Sequence, residues 1–335
     1  VLLEEIPVID LGQTSPAELA QALMTSSCAL ITGHGVAPEL IADMVRVSRA
    51  FFDQPRERKA AVRWPGAGNW RGWLPVYEGT DDLNSSELPE LLEKYEIQLP
   101  RPWDRKADAD ALAAWAAQFD FWPTELADGP DDAADFRTVW TTYYAALGDL
   151  ADRIVLLLAE AFDLPAEELG SWTDDHYANL VVNNYLDQPE PPVPGQVRIR
   201  QHTDIGGLTL LWADSAPGGL EVRFPGEDTW TAVQIPEDCF LIQAGELLAR
   251  WTNDLIQPNI HRVANPPVEI GPQSRRTSIV YFHYPELSLE VRPAPSCVSE
   301  ERPAGTVLAA GAHLRSAVEQ PKARHRRLDE ELATR

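Results

Sequence analysis

Gln201-His202-Thr203-Asp204-Ile205-Gly206-Gly207 leads directly into Leu208-Thr209-Leu210-Leu211-Trp212, a polar loop followed by a five-residue apolar run. A run that short, bounded by turn residues, suits a buried β-strand better than a helix. Similar runs lie on both sides of it: Ala178 to Tyr185, Leu220 to Phe224, Thr231 to Val233, Cys239 to Gln243 and Thr277 to Phe282. Gly, Pro, Asn and Asp separate them, which is the pattern of many short antiparallel strands. In the last run, two-residue alternation places Arg276, Ser278, Val280 and Phe282 on one face.

The front of the chain reads differently. A short strand is expected at residues 6 to 10 and another from Cys28 to Thr32, with a helix from Pro16 to Ser26 between them. Helices are further expected from Pro38 to Phe52, near Asp108 to Glu125 and from Asp132 to Phe162. Trp64 to Pro102 reads mostly as loop, with a short strand around Tyr95 to Leu99. A helical front and a β-rich back predict an α+β, mainly β fold, in which a sandwich or jelly roll carries helices on its outside. The expected organisation is an N-terminal helical region over 1–172, a core over 173–290, and an extension over 291–335 that is helical at its end.

Bulk properties narrow the function. The 335 residues carry a formal net charge of −24, and a nucleic-acid binder needs a basic footprint that this chain lacks. The basic stretch Lys322 to Arg327 is followed at once by Asp329, Glu330 and Glu331, as on a solvated terminal helix. No apolar run nears the ~20 residues of a membrane span, and Val1 to Ile6 lacks the pattern of a secretion signal. Three scattered cysteines, Cys28, Cys239 and Cys297, form no disulfide framework, so a reducing cytoplasm is expected. Oligomeric state is left open, a monomer being compatible with the sequence.

His202-x-Asp204 is cheap by itself, because seven histidines in an acidic chain make such a pair by chance about as often as not. Its context adds weight. His261 follows 57 residues after Asp204, and Arg276 and Ser278 come fifteen residues or more beyond that. Two imidazoles and a carboxylate suit iron(II) while leaving coordination positions open. An arginine with a neighbouring hydroxyl makes a carboxylate clamp.

With those residues in that order, Asn183 to Phe282 resembles the isopenicillin N synthase-like branch of the iron(II)/2-oxoglutarate-dependent dioxygenases. Gly219-Leu220-Glu221-Val222, Trp230, Gly245, Arg262-Val263 and Asn183-x-Tyr185 add to the likeness. Ile6-Pro7-Val8-Ile9-Asp10, His34-Gly35-Val36, Phe51-Phe52 and Arg71-Gly72-Trp73 extend it to about residues 6–290. The resemblance implies a double-stranded β-helix (jelly-roll) core with Fe(II) held by His202, Asp204 and His261. It also implies 2-oxoglutarate held by Arg276 and Ser278 with Tyr185 and Asn183, and O2 as the second co-substrate. The reaction implied is hydroxylation or desaturation of a small, specialised (natural-product) metabolite, with release of succinate and CO2. Two alternatives stay open. Isopenicillin N synthase uses the same Arg-x-Ser for a substrate carboxylate and needs no 2-oxoglutarate, and a jelly roll can also keep a metal without catalysis.

Pocket candidates are Phe282, which shares the clamp strand's face, together with Trp73, Tyr77, Tyr95, Leu211 and Trp251. His34 reads as structural, and His283 should alternate away from the pocket. His176 is the next ligand candidate should the motif fail. Glu246 and Asp254 stand where many relatives have Asp and Gly.

Overall fold

In the strands behind Trp172, successive side chains enter two different apolar cores. Leu208, Leu210 and Trp212 pack into one and Leu211 and Ala213 into the other; Ile279 and Tyr281 split from Val280 and Phe282 in the same way. That alternation follows from the two-residue period of a strand, and it makes a sheet apolar on both faces. The computed structural model describes residues 6–63, 71–76, 88–99, 121–126, 130–164, 166–174 and 176–319.

The elements in chain order begin with β1 (Val8–Asp10), α1 (Pro16–Ser26), β2 (Cys28–Thr32), α2 (Pro38–Phe52) and α3 (Arg56–Lys59). They continue with β3 (Gly72–Leu74), β4 (Glu93–Ile97), α4 (Pro130–Ala161) and α5 (Ala166–Trp172). The β-rich part comprises β5 (Tyr177–Tyr185), β6 (Ile199–His202), β7 (Leu208–Ala213), β8 (Leu220–Arg223), β9 (Thr231–Ala232) and β10 (Phe240–Ala244). It is completed by α6 (Glu246–Trp251), β11 (Ile260–Val263), β12 (Arg276–Tyr284), β13 (Glu290–Val291), β14 (Leu308–Ala309) and α7 (Ala310–Glu319).

Eight strands form one sheet in the order β1-β2-β10-β7-β12-β5-β4-β3, antiparallel except for the β1–β2 pair. A four-stranded sheet, β6-β11-β8-β9, faces it. Val181, Leu211 and Val280 from the large sheet meet Leu220, Val222 and Phe224 around the small one, filling the space between the layers. On the outer face, α1, α2 and α4 cover the large sheet. Leu19, Met44, Phe51, Leu147, Ile154 and Leu158 are all 5% exposed or less there. This is the expected jelly roll with helices on its outside.

α1 starts where the sequence gives it a capping box: the Ser15 hydroxyl accepts from the Glu18 N–H at 3.3 Å, and Glu18 accepts from the Ser15 N–H at 2.8 Å. The expected helix over Asp108 to Glu125 lies largely outside the described residues, and its described end, 121–126, is not helical. The terminal helix expected from Lys322 also lies outside them, while α7 forms just before it. Sequence patterning missed α3, β3, α5, β6, α6, β11, β13 and β14, segments of two to seven residues that are too short to show a period.

Candidate active site

His202 closes β6 and His261 lies on β11, where the ladder sets the two directly opposite each other. Their rings lie 4.2 Å apart between centroids. Asp204, two residues past the end of β6, brings its Oδ1 to 3.8 Å from His202 Nε2 and 3.7 Å from His261 Nε2. One donor atom from each of the three residues falls within 4.8 Å of the others. Chain separation is thus cancelled by a single cross-strand pairing.

The surroundings aim these atoms. His202 Nδ1 lies 2.8 Å from the Arg200 carbonyl, which can only accept, so that nitrogen carries the proton and Nε2 keeps its lone pair. His261 Nδ1 lies 3.2 Å from Asn259 Oδ1, whose orientation is set by a 2.9 Å bond from Gln243 Nε2. Thr209 donates to Asp204 Oδ2 at 2.6 Å, leaving Oδ1 toward the imidazoles. Outer partners of this kind fix tautomer and ring angle in metal sites. Burial, together with the neighbouring His261, pushes His202 down to about 4, so it is a neutral ligand at physiological pH. Two imidazole nitrogens and one carboxylate oxygen brought together beside a cavity fit a divalent iron with open positions.

The Asp204 loop is held from behind. Backbone bonds join Glu246 N to Asp204 O, Leu247 N to Gly206 O and Gly245 N to Gly207 O. A Cβ on Gly245 would meet the Gly206 carbonyl oxygen at 2.1 Å, which explains the glycine. Glu246 receives the Thr203 hydroxyl at 2.5 Å and lies 2.8 Å from His313 Nε2 on α7. Its side chain therefore ties the loop to the last described helix.

Arg276 opens β12 opposite Tyr185, and Ser278 lies opposite Asn183. Asn183 Nδ2 donates to Ser278 Oγ at 3.2 Å, and the Tyr185 hydroxyl lies 3.4 Å from the same oxygen. The Arg276 guanidinium is stacked 5.3 Å from the Tyr185 ring centroid; the residue is only 4% exposed. Its guanidinium makes no hydrogen bond or ion pair among the described residues. A buried cation with open donors is costly without an anion, so this corner is prepared for a carboxylate. Arg198, unnoticed in the sequence, backs it: fully buried, its guanidinium lies 5.4 Å from the Tyr185 ring centroid and bonds the carbonyls of Pro217, Gly218 and Ser274.

A cavity of about 330 Å³ opens in front of His202 and Asp204. Phe282 lines it, as expected from strand alternation, and Asn183, expected at the co-substrate, lines it too. Trp73, Tyr95, Leu211 and Trp251 do not. Trp73 turns into the helical core and donates to Glu93 at 2.7 Å, because β4 pairs it beside Tyr95. Tyr95 packs on Phe51 and Trp140. Trp251 stacks on Trp172 at 4.4 Å, and Leu211 fills the inter-sheet core. Tyr77 lies outside the described residues. Residues the sequence reading missed are Glu90, Lys94, Glu96, Gln98 and Asn179, all on the cavity wall. Alternation along β4 and β5 would have found most of them once both strands were paired.

A second cluster, Asp152, His176 and His283, also brings ligand atoms within 4.8 Å. It lies on the helical side of the sheet. His176 Nδ1 faces Thr173 O and Asp152 Oδ1 at 2.7 and 2.8 Å, its Nε2 lies 3.0 Å from the Tyr281 hydroxyl, and His283 Nε2 lies 2.8 Å from Trp172 O. These contacts tie the cluster into the packing between α4 and the sheet.

Residues 6–125 match the family described as non-haem dioxygenase in morphine synthesis N-terminal, and residues 177–285 match the 2OG-Fe(II) oxygenase superfamily. The chain is 33% identical to validamycin A dioxygenase of Streptomyces hygroscopicus subsp. limoneus, covering 86% of this chain and 79% of that one. It is 30% identical to a 2-oxoglutarate-dependent dioxygenase of Aspergillus niger, over 78% and 80% of the two chains. A Neurospora crassa protein solved with alpha-KG and thymine shares the fold at a TM-score of 0.79 and 24% identity, over 96% and 99%.

Proposed function

Since the chain belongs to the 2OG-Fe(II) oxygenase superfamily and is therefore an oxidoreductase using iron(II), 2-oxoglutarate and O2, we propose that His202, Asp204 and His261 hold the iron and that Arg276 anchors the co-substrate. Bound there, iron and 2-oxoglutarate supply O2 activation and oxidation of a substrate C–H bond, with release of succinate and CO2. The protein's part is placement. The Arg200 carbonyl and Asn259 keep both imidazoles in the tautomer that presents Nε2, and Thr209 keeps one Asp204 oxygen pointing at them. Arg276 and the Ser278 hydroxyl take the far carboxylate of 2-oxoglutarate, with Tyr185 and Asn183 holding Ser278 in place. Phe282 and Val181 give the cavity in front of His202 and Asp204 one apolar side, which limits water at the reacting centre.

The observation that carries the assignment is the buried Arg276 guanidinium, which has no anion partner among the described residues and lies on the same inward face as Ser278 and Phe282. Its family context leaves the co-substrate-free cyclase and the metal-binding relic with no observation in their favour. The substrate is a small specialised metabolite, a reading supported by the cavity's size and by the named action of the Streptomyces relative on validamycin A.

Anaerobic titration of the iron(II)-loaded protein with 2-oxoglutarate tests the site. A weak visible charge-transfer band should grow and saturate. Arg276→Ala should weaken 2-oxoglutarate about ten- to a hundredfold, the loss of charge-assisted bonds, while iron binding persists. Asp204→Ala should remove iron and the band together. An unchanged 2-oxoglutarate affinity in Arg276→Ala would refute the clamp.

A further inference from the structure

We infer that the cavity floor built by Glu96, Asn179 and Gln98, with Glu90 on the wall, recognises a small hydroxylated amine as the substrate. The inference deepens the proposed oxygenase reading and rests on it for the location of the reacting centre.

The floor is a polarised chain of hydrogen bonds. Arg71 donates to Gln98 Oε1 at 3.0 Å, Gln98 Nε2 donates to Asn179 Oδ1 at 2.6 Å, and Asn179 Nδ2 donates to Glu96 Oε1 at 2.7 Å. Each amide is held in one orientation by a cation at one end and a carboxylate at the other. The chain crosses neighbouring strands, because Glu96 and Gln98 share the inward face at the end of β4 while Asn179 comes from β5. A floor that only needed to be solid would be apolar. This one fixes a carboxylate beneath a cavity that opens onto His202 and Asp204.

Glu96 has capacity left. A carboxylate accepts about four hydrogen bonds; Oε1 takes one from Asn179, and Oε2 faces Lys94 Nζ only at 3.6 Å. Glu90 has more. One of its oxygens accepts the Arg200 N–H at 3.0 Å, and the other has no hydrogen-bond partner among the described residues. Glu96 is only 5% exposed, so water serves its remaining acceptor sites poorly and a ligand cation is their natural complement.

Among the described lining residues, apart from Asp204, two carboxylates face one ammonium, that of Lys94. A ligand ammonium would balance that excess and donate to Glu96 and Glu90, while ligand hydroxyls would exchange bonds with Glu96, Asn183 and Lys94. An anionic substrate would meet the opposite arrangement, since Arg71 is turned to Gln98 and Lys94 stands beside Glu96. The volume of about 330 Å³ in front of His202 and Asp204 limits the amine to the scale of one sugar-like ring.

Glucosamine, glucose and N-acetylglucosamine serve as probes that differ in charge but little in shape. Saturation-transfer NMR on the full chain loaded with iron(II) and 2-oxoglutarate, under argon, should show glucosamine binding in clear preference to both neutral sugars. Glu96→Gln should weaken glucosamine about tenfold or more and leave the neutral sugars unchanged. Glu90→Gln should act in the same direction, and it keeps the test open if Glu96→Gln proves unstable by its melting curve. Equal signals for the three sugars, no glucosamine signal, or glucosamine affinity unchanged in both variants would overturn the inference. The 2-oxoglutarate band recorded on the same samples reports the iron site separately. A wild type without the band refutes the site assignment, whereas a normal band without amine preference refutes this inference alone.

Discussion

At the scale of single residues, the site depends on which nitrogen of each histidine carries its proton. His202 has its Nδ1 committed to a carbonyl and sits in a buried place beside a second imidazole, which holds it down at about 4. The sign of the consequence follows. An unfolded His202 would take up a proton near its ordinary value of about 6.5, whereas the folded one waits until about 4. Between those values the unfolded chain binds more protons, so this group favours unfolding as pH falls from 6.5 toward 4 and is silent above. A proton NMR titration of the metal-free protein should therefore show the His202 ring in its neutral form at pH 5.5. A midpoint near 6.5 would show that burial and His261 do not hold the ring neutral. The same neutrality means that iron binding at pH 7 displaces no proton from His202.

At the scale of elements, the join between the Asp204 loop and α6 decides whether the third ligand is in place. Three backbone bonds cross it, and Gly245 makes the approach possible. Gly245→Ala puts a methyl group 2.1 Å from the Gly206 oxygen, so the loop must move. The cost should be about 1–3 kcal/mol, as for overpacking elsewhere, read by urea unfolding. Iron affinity should fall as well, because Asp204 rides on the displaced segment. Retained iron affinity with full stability would show that the loop has slack the packing does not reveal. β4 makes a related point. Its outward Glu93 takes Lys59 at 2.7 Å, Trp73 at 2.7 Å and Asn184 at 2.9 Å, while its inward Lys94 and Glu96 face the cavity. Lys59→Ala leaves Glu93 short of its cation, and a loss of about 3 kcal/mol is expected in the same assay.

At the scale of the whole molecule, two sheets and a helical layer bury all three cysteines, at 0, 3 and 4% exposure for Cys28, Cys239 and Cys297. Burial raises each thiol, Cys28 up to about 12, so neither access nor thiolate favours reaction. A thiol-specific reagent at pH 8 should label the native protein slowly and modify all three in denaturant; rapid labelling of one would mark a region that opens locally. Among the described residues no helix is long and apolar enough to cross a membrane. The sequence by itself determined the strand-rich core, the helices Pro16–Ser26 and Pro38–Phe52 to the residue, and the inward face shared by Arg276, Ser278 and Phe282. Those features are local, set by periodicity and by capping residues. It also supplied His202, Asp204 and His261 as an ordered set, through a family likeness. Only the tertiary structure decided that β6 and β11 place His202 against His261, which side of β4 Trp73 and Tyr95 fall on, and that Glu90, Glu96, Gln98 and Asn179 share one cavity. Strand pairing and layer packing join residues far apart in the chain, and a one-residue change of register reverses every side chain, so no local pattern contains that information.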